Sequence, residues 1–170
     1  MLPVTLIAAM TRDRVIARES GGVPWDLPRD RAHFRDYTEG QWLLLGRRTY
    51  GEMQGWFHDH RVIVLSHDAS FLPTPPSHRV ARSVPEVMQL AEKNGARELV
   101  VCGGAAVYHA ALPYANRLVL TRVDITLESL VRFPDYEQET TRPWCQVYRE
   151  LWPSDESHEA AMVLEVFERG

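Results

Sequence analysis

"ELVVCGGAAVYHAAL", residues 98 to 112, decides the fold class. Leu99, Val100 and Val101 form an unbroken apolar run, the pattern of a strand covered on both faces. Cys102 follows, then Gly103-Gly104, then a stretch with helical spacing that carries Tyr108. Strands buried on both faces belong to parallel sheets flanked by helices, so the segment predicts an α/β architecture. The glycine pair also lets backbone approach a bound diphosphate closely. It is not the G-x-G-x-x-G fingerprint, because the spacing differs and no acidic residue follows at the usual distance.

The same alternation extends outward in both directions. Strands are predicted over 4–10, 41–46, 61–66, 79–81 and 117–124, with helices over 28–37, 47–55 and 84–95. "CQVYREL" and "AMVLEVFER" read as antiparallel hairpin material. The expectation is one α/β domain over residues 1–170. It has a central, mostly parallel sheet of about eight strands with an antiparallel C-terminal edge hairpin, flanked by about four helices. Ligands of such sheets sit beyond the carboxyl ends of the strands. That points to Gly46-Arg47-Arg48-Thr49, Ser66-His67 and Gly103-Gly104.

Composition excludes several classes. A chain of 170 residues suits one domain, and a domain near this size buries roughly 70% of its unfolded surface. A formal net charge of −4 does not favour nucleic acid or an anionic membrane as partner. Cys102 and Cys145 lack metal-type spacing, which favours free thiols in a reducing, cytoplasmic setting. The seven histidines form no ligand set, so no metal is expected. "MLPVTLIAAMTRDR" lacks a basic n-region, and its apolar run is too short to span a membrane. No G-x-S-x-G or Cys/His arrangement supports a covalent nucleophile.

The chemistry-bearing stretch is "GGVPWDLPRDRAHFRDY" (21–37). Helical neighbours lie three and four residues apart, so Asp30 shares a face with Phe34 and approaches His33. An acid in a first turn suits the helix macrodipole whatever its function. A carboxylate pointed at an apolar face also has its pKa raised by burial, and it can accept two parallel hydrogen bonds from an N–C–N edge of a pteridine or pyrimidine. In "GRRTY" (46–50) two arginines oppose the macrodipole at a helix start, which a bound phosphate would explain; a solvated basic turn is the plainer reading. "ESGGVP" (19–24) has the glycines of a loop able to close over a site. Thr121 follows three apolar residues on a strand, where its hydroxyl can turn inward toward Asp30.

In this order the elements resemble dihydrofolate reductase, over about Val4 to Glu168. The residues that carry the resemblance are "LIAAM…RVIA", "VPWDLPRDRAHF", "LLLGRRTY", "RVIVLS", "VVCGGAAVY", "LTRVD" and "RFPDY". The Pro-Trp-x-Leu-Pro-x-Asp-x-x-x-Phe element is the specific one.

The resemblance implies NADPH-dependent reduction of dihydrofolate by a cytoplasmic monomer, with antifolates in the same pocket and neither nucleic acid nor membrane as partner. Asp30 would hold the pterin and promote protonation at N5 through water. Trp25 would support that water and the closing loop, and Thr121 would brace the contact. Tyr108 would lie near the hydride path. Ile7, Ala9, Arg31, Phe34, Met53, Arg61 and Cys102 complete the implied substrate set. Gly103-Gly104 resembles the family's cis glycine pair beside the cofactor diphosphate. Arg47, Arg48, Thr49, Ser66, His67 and Arg82 would bind phosphates, favouring NADPH over NADH. Ala9, Ile16, Gly46, Cys102, Ala105, Ala106, Val107 and Tyr108 complete the implied cofactor set.

The chain also departs from the family pattern. Ala17 stands where glycine is usual, and the closing loop is one residue longer. Ala106 replaces a frequent arginine, and "ESLVRFPDY" lacks the common Gly-Asp-Thr. The arginine that clamps the substrate's glutamate tail maps to Arg61 with one deletion, or to His60 without a gap. Two rival readings follow: a pyrimidine reductase of riboflavin synthesis with the same sheet, and a folate-binding relative of weakened catalysis. The Trp25…Asp30…Phe34 spacing weighs against the first, and intact Asp30, Trp25, Thr121 and Tyr108 weigh against the second.

Overall fold

The structure is a computed structural model that describes residues 1–23, 25–68 and 70–170. Pro24, part of the Pro-Trp element, lies outside the described residues, as does Ala69.

Eight strands form one sheet: β1 (Val4–Thr11), β2 (Trp42–Gly46), β3 (Arg61–Leu65), β4 (Arg79–Ala81), β5 (Leu99–Val101), β6 (Arg117–Val123), β7 (Cys145–Trp152) and β8 (Met162–Glu168). Four α-helices intervene: α1 (Pro28–Thr38), α2 (Arg47–Glu52), α3 (Val84–Lys93) and α4 (Ala105–Ala111). The spatial order is β4-β3-β2-β5-β1-β6-β8-β7. Every pairing from β4 to β6 is parallel, while β8 pairs antiparallel with both β6 and β7. The expected architecture is therefore the observed one.

Strand alternation divides the core into two layers. In β1, Val4, Leu6, Ala8 and Met10 join one layer with α3 and α4, through Val84, Val87, Val107 and Ala111. Ile7 faces the other layer, with Leu43, Leu45, Val62, Val64 and Val100, against which Phe34 and Tyr37 of α1 pack. The central strands read as continuous apolar runs because both faces are covered.

Several predicted ends shift inward. The strand that leads into the glycine pair stops at Val101, because Cys102 and the glycines form the turn into α4. The helix expected over 47–55 stops at Glu52, before the Gly55 turn at φ +83°. Leu27 holds the N-cap position of α1 without a side-chain cap bond. Asp26, just before it, pairs with Arg31. Among the described residues, no helix is long and apolar enough to cross a membrane, and no cluster of His, Cys, Asp or Glu could hold a metal.

Candidate active site

A cleft of about 970 Å³ opens beside the carboxyl ends of β1, β2 and β5. This is where a doubly wound sheet offers backbone ends that no neighbouring strand covers. Ile7, Ala8, Ala9 and Cys102 line its floor, Asp30, His33 and Phe34 one wall, and Gly46 to Thr49 with Gly103 to Tyr108 the other. Residues 16–18 and 21–23 border it from the loop after β1, together with Trp25.

Helix α1 brings its acid into the cleft through its spacing. Pro28 at the first position suits a helix start, having no N–H to leave unpaired. The Arg31 amide then donates to the Leu27 carbonyl at 3.0 Å and closes the first turn. Leu27 is buried, and Phe34 packs into the sheet layer. Asp30, one turn before Phe34, therefore faces the same way. Burial raises the Asp30 pKa above its ordinary 3.8, while the Thr121 hydroxyl and neighbouring His33 pull it down. His33 is pushed below 6.5, mainly by burial, so its imidazole stays neutral at pH 7. Two acids line the cleft among the described residues, and the other, Glu52, is exposed and lies 3.6 Å from Arg48.

Thr121 comes from β6, paired with Ala9 of β1, and is 1% exposed. Nothing local brings it near Asp30; the β1–β6 register does. Tyr108 is buried on α4 and donates its hydroxyl to the Ile7 carbonyl at 2.6 Å. Burial drives its pKa well above 10.0, so the hydroxyl keeps its proton. Burial likewise pushes the Cys102 thiol up, which makes it an apolar wall and not a nucleophile.

The opposite wall is a backbone cradle. The Gly46 amide donates to the Gly103 carbonyl at 2.8 Å, and a Cβ on Gly46 would come within 3.0 Å of the Val107 Cγ2. Gly103 has φ +118°, a region L side chains rarely adopt, and the Gly103–Gly104 peptide is cis. A Cβ on Gly104 would lie 3.3 Å from the Thr49 Oγ1. Bare backbone therefore faces the cleft beside Arg47, Arg48 and Thr49, a combination that fits a diphosphate-bearing cofactor.

The covering loop is anchored at several points. Ile16 donates its amide to the Val131 carbonyl at 3.0 Å, and Leu130 donates its amide to Glu19 Oε1 at 3.2 Å. Gly21 has φ +100°, and a Cβ there would meet the Arg48 Nη2 at 2.6 Å, so only glycine lets the loop lie against the Arg48–Glu52 pair.

The structure thus gathers Ile7, Ala9, Ile16, Trp25, Asp30, Phe34, Gly46, Arg47, Arg48, Thr49, Met53, His67, Cys102, Gly103, Gly104, Ala105, Ala106, Val107, Tyr108 and Thr121 around one cleft. Four predicted residues do not line it. Ser66 and Arg82 flank its rim at the ends of β3 and β4; the Ser66 Oγ accepts from the Asp68 amide at 3.2 Å. Arg31 is exposed, beside Asp26. Arg61 requires a correction, because strand period carries it to the layer of Trp42, with its guanidinium 5.9 Å from that ring. Neighbouring His60 points the other way and stacks on Trp56 at 4.7 Å, and Trp56 in turn contacts Phe34 at 5.3 Å. His33, Glu52, Trp56 and Val131 line the cleft without having been singled out. His33 had a signal in its spacing from Asp30, whereas Val131 had none, since only folding brings its loop across.

The family model described as dihydrofolate reductase matches residues 3–169. Dihydrofolate reductase of Mycobacterium tuberculosis is 39% identical over 130 residues, which is 75% of this chain and 75% of that protein. Dihydrofolate reductase type 3 of Salmonella typhimurium is 30% identical over 158 residues, or 93% of each. Among solved structures, dihydrofolate reductase from Enterococcus faecalis complexed with NADP(H) and RAB-propyl matches with a TM-score of 0.81 at 27% identity, covering 99% of this chain and 96% of that one. A match over almost the full chain, on a fold whose cleft carries the specific Trp25–Asp30–Phe34 element, leads to one conclusion: the chain belongs to the dihydrofolate reductase family.

Proposed function

We propose that this protein reduces 7,8-dihydrofolate to 5,6,7,8-tetrahydrofolate at this cleft, with Asp30 as the acid. The observation that carries the reading is a half-buried carboxyl on an apolar wall, the one lining acid without an arginine partner among the described residues. NADPH, when bound, supplies the hydride that reaches C6 of the pterin. The Gly46, Gly103 and Gly104 backbone with Arg47, Arg48 and Thr49 would hold its phosphates, and Ser66, His67 and Arg82 extend that basic rim.

Asp30 does two things. Its oxygens accept hydrogen bonds from the amidine edge of the pterin, which orients the ring. Burial makes this carboxyl easier to protonate than an exposed one, which favours relay of a proton through water to N5. Thr121 braces the carboxyl from β6, and Trp25 limits solvent on the loop side. Ile7, Ala9 and Cys102 form the apolar floor, Phe34 and Met53 receive the aminobenzoyl group, and Tyr108 keeps the Ile7 carbonyl in place. Antifolates presenting the same N–C–N edge compete for Asp30. Free Cys102 and Cys145 support a reducing, cytoplasmic setting.

Loss of NADPH absorbance on adding dihydrofolate tests the activity. Asp30→Asn is expected to lower kcat at neutral pH by 10²-fold or more, the scale of a general acid, with partial recovery in acid where the substrate arrives already protonated. Unchanged neutral turnover in that variant would defeat the assignment. Binding without turnover in the parent, or turnover of a ribosylaminopyrimidine alone, would replace the reaction.

A further inference from the structure

Helix α1 presents Asp30 from its first turn, yet its own sequence does not cap that turn. Leu27 at the N-cap has no acceptor, and Pro28 has no N–H. The first backbone donor is the Arg29 amide, one residue before Asp30. It donates to Nε2 of His158 at 3.0 Å, across 129 residues of chain.

His158 lies between β7 and β8 and is 7% exposed. An accepting Nε2 places the ring hydrogen on Nδ1, which lies 2.7 Å from Asp155 Oδ1. Asp155 is fixed in turn. The Ser157 amide donates to the same oxygen at 2.8 Å, and the Asp155 and His158 backbones exchange hydrogen bonds at 3.0 and 3.2 Å. The Arg29 side chain turns to the same hairpin, 4.4 Å over the Trp152 ring and 3.3 Å from Glu150 Oε1. Trp152 also stands edge-on to His33, at 5.7 Å and 73°. The end of the last hairpin therefore grips the turn of α1 that carries the acid.

We infer that His158, held in one tautomer by Asp155, is a positioning residue for Asp30. It touches no part of the cleft. By accepting from the Arg29 amide it sets the direction of the first turn of α1, and hence the aim of the neighbouring carboxyl at the pterin. The inference rests on the role of Asp30 proposed above.

Three variants separate positioning from plain stability. His158→Phe keeps the ring volume and removes the acceptor. His158→Gln returns a carbonyl oxygen in reach of the amide. Asp155→Ala, at an exposed side chain, removes the acceptor that keeps the ring hydrogen on Nδ1 and frees it to move to Nε2, against the Arg29 N–H. His158→Phe and Asp155→Ala are expected to lower kcat/KM for dihydrofolate by about tenfold, the scale of a lost helix cap. His158→Gln should recover most of that loss, and the Kd of NADPH should stay within about twofold throughout, as for sites outside a ligand's contacts.

A lower Tm with unchanged kinetics, or equal losses for both ligands, would make the cap merely structural and overturn the inference. Should His158→Phe not fold, Asp155→Ala decides by the same readouts. Asp30→Asn is assayed alongside. If it is impaired while the hairpin variants are normal, only the positioning role falls; if it is normal, the acid itself has been misassigned and the positioning role falls with it.

Discussion

The Tyr108 hydroxyl donates to the Ile7 carbonyl at 2.6 Å, and this bond ties α4 to β1 directly beneath the cleft. The partners are 101 residues apart and both are buried. Ile7 lines the cleft from β1, so the orientation of its carbonyl matters to the site as well as to the fold. Tyr108→Phe leaves that carbonyl without its side-chain partner at the cost of a buried unsatisfied acceptor, about 1–3 kcal/mol. Urea unfolding should show this as a lower midpoint with unchanged m. An unchanged midpoint would mean that water replaces the hydroxyl.

Asp30 should cost the ligand-free protein stability at neutral pH. Its carboxyl holds a proton more tightly in the folded state than at the ordinary 3.8 of an unfolded chain. From 3.8 upward the folded state binds more protons than the unfolded one, so stability declines until pH passes the folded pKa, and the penalty persists above. Asp30→Asn should therefore be more stable than the parent at pH 7, by about 1.4 kcal/mol for each tenfold gain in proton affinity that burial produces. The difference should vanish below pH 3.8, where both states carry the proton. A ligand-free Asp30→Asn protein less stable at pH 7 would contradict the burial argument.

Gly103→Ala should damage the cradle. The residue sits at φ +118°, and its Cβ would press on the Tyr108 ring at 3.4 Å. A side chain forced into such a conformation costs about 1–3 kcal/mol. The expected result is a lower Tm together with weaker NADPH binding in a fluorescence titration, with the Tyr108–Ile7 bond disturbed as well. Unchanged NADPH affinity would place the cofactor elsewhere.

Arg61→Ala should leave the KM for dihydrofolate within about twofold, as for most exposed substitutions. The guanidinium lies over Trp42, on the layer opposite Phe34. His60→Ala should raise that KM, because the imidazole stacks under Trp56, which in turn contacts Phe34. Steady-state assays of the two variants decide between neighbouring residues whose side chains diverge. A raised KM for Arg61→Ala alone would reverse the assignment.

Short-range periodicity made a good part of this molecule legible before any coordinates. Apolar runs such as Leu43–Leu45 and Leu99–Val101 identify strands covered on both faces. The four-residue spacing of Asp30 and Phe34 puts an acid on an apolar wall. Gly46 and Gly103-Gly104 after strands mark where backbone approaches a ligand. These features depend on residues within a turn or two of one another, so linear order carries them.

What linear order could not carry is every contact that depends on register or crossover. Thr121 reaches the neighbourhood of Asp30 because β6 pairs with β1 in one register. Val131 joins the cleft because its loop crosses to Ile16. Arg61 lies over Trp42 while neighbouring His60 stacks on Trp56, on the parity of one strand. The first free amide of α1 is met by His158, while Asp26, just before the helix, pairs with Arg31. Propensity and spacing within single elements are enough to set the strands and helices, their α/β order and the acid on its helix. Which side chains meet that acid emerges with folding, because sheet pairing and strand parity set the distance and facing of groups that lie far apart along the chain.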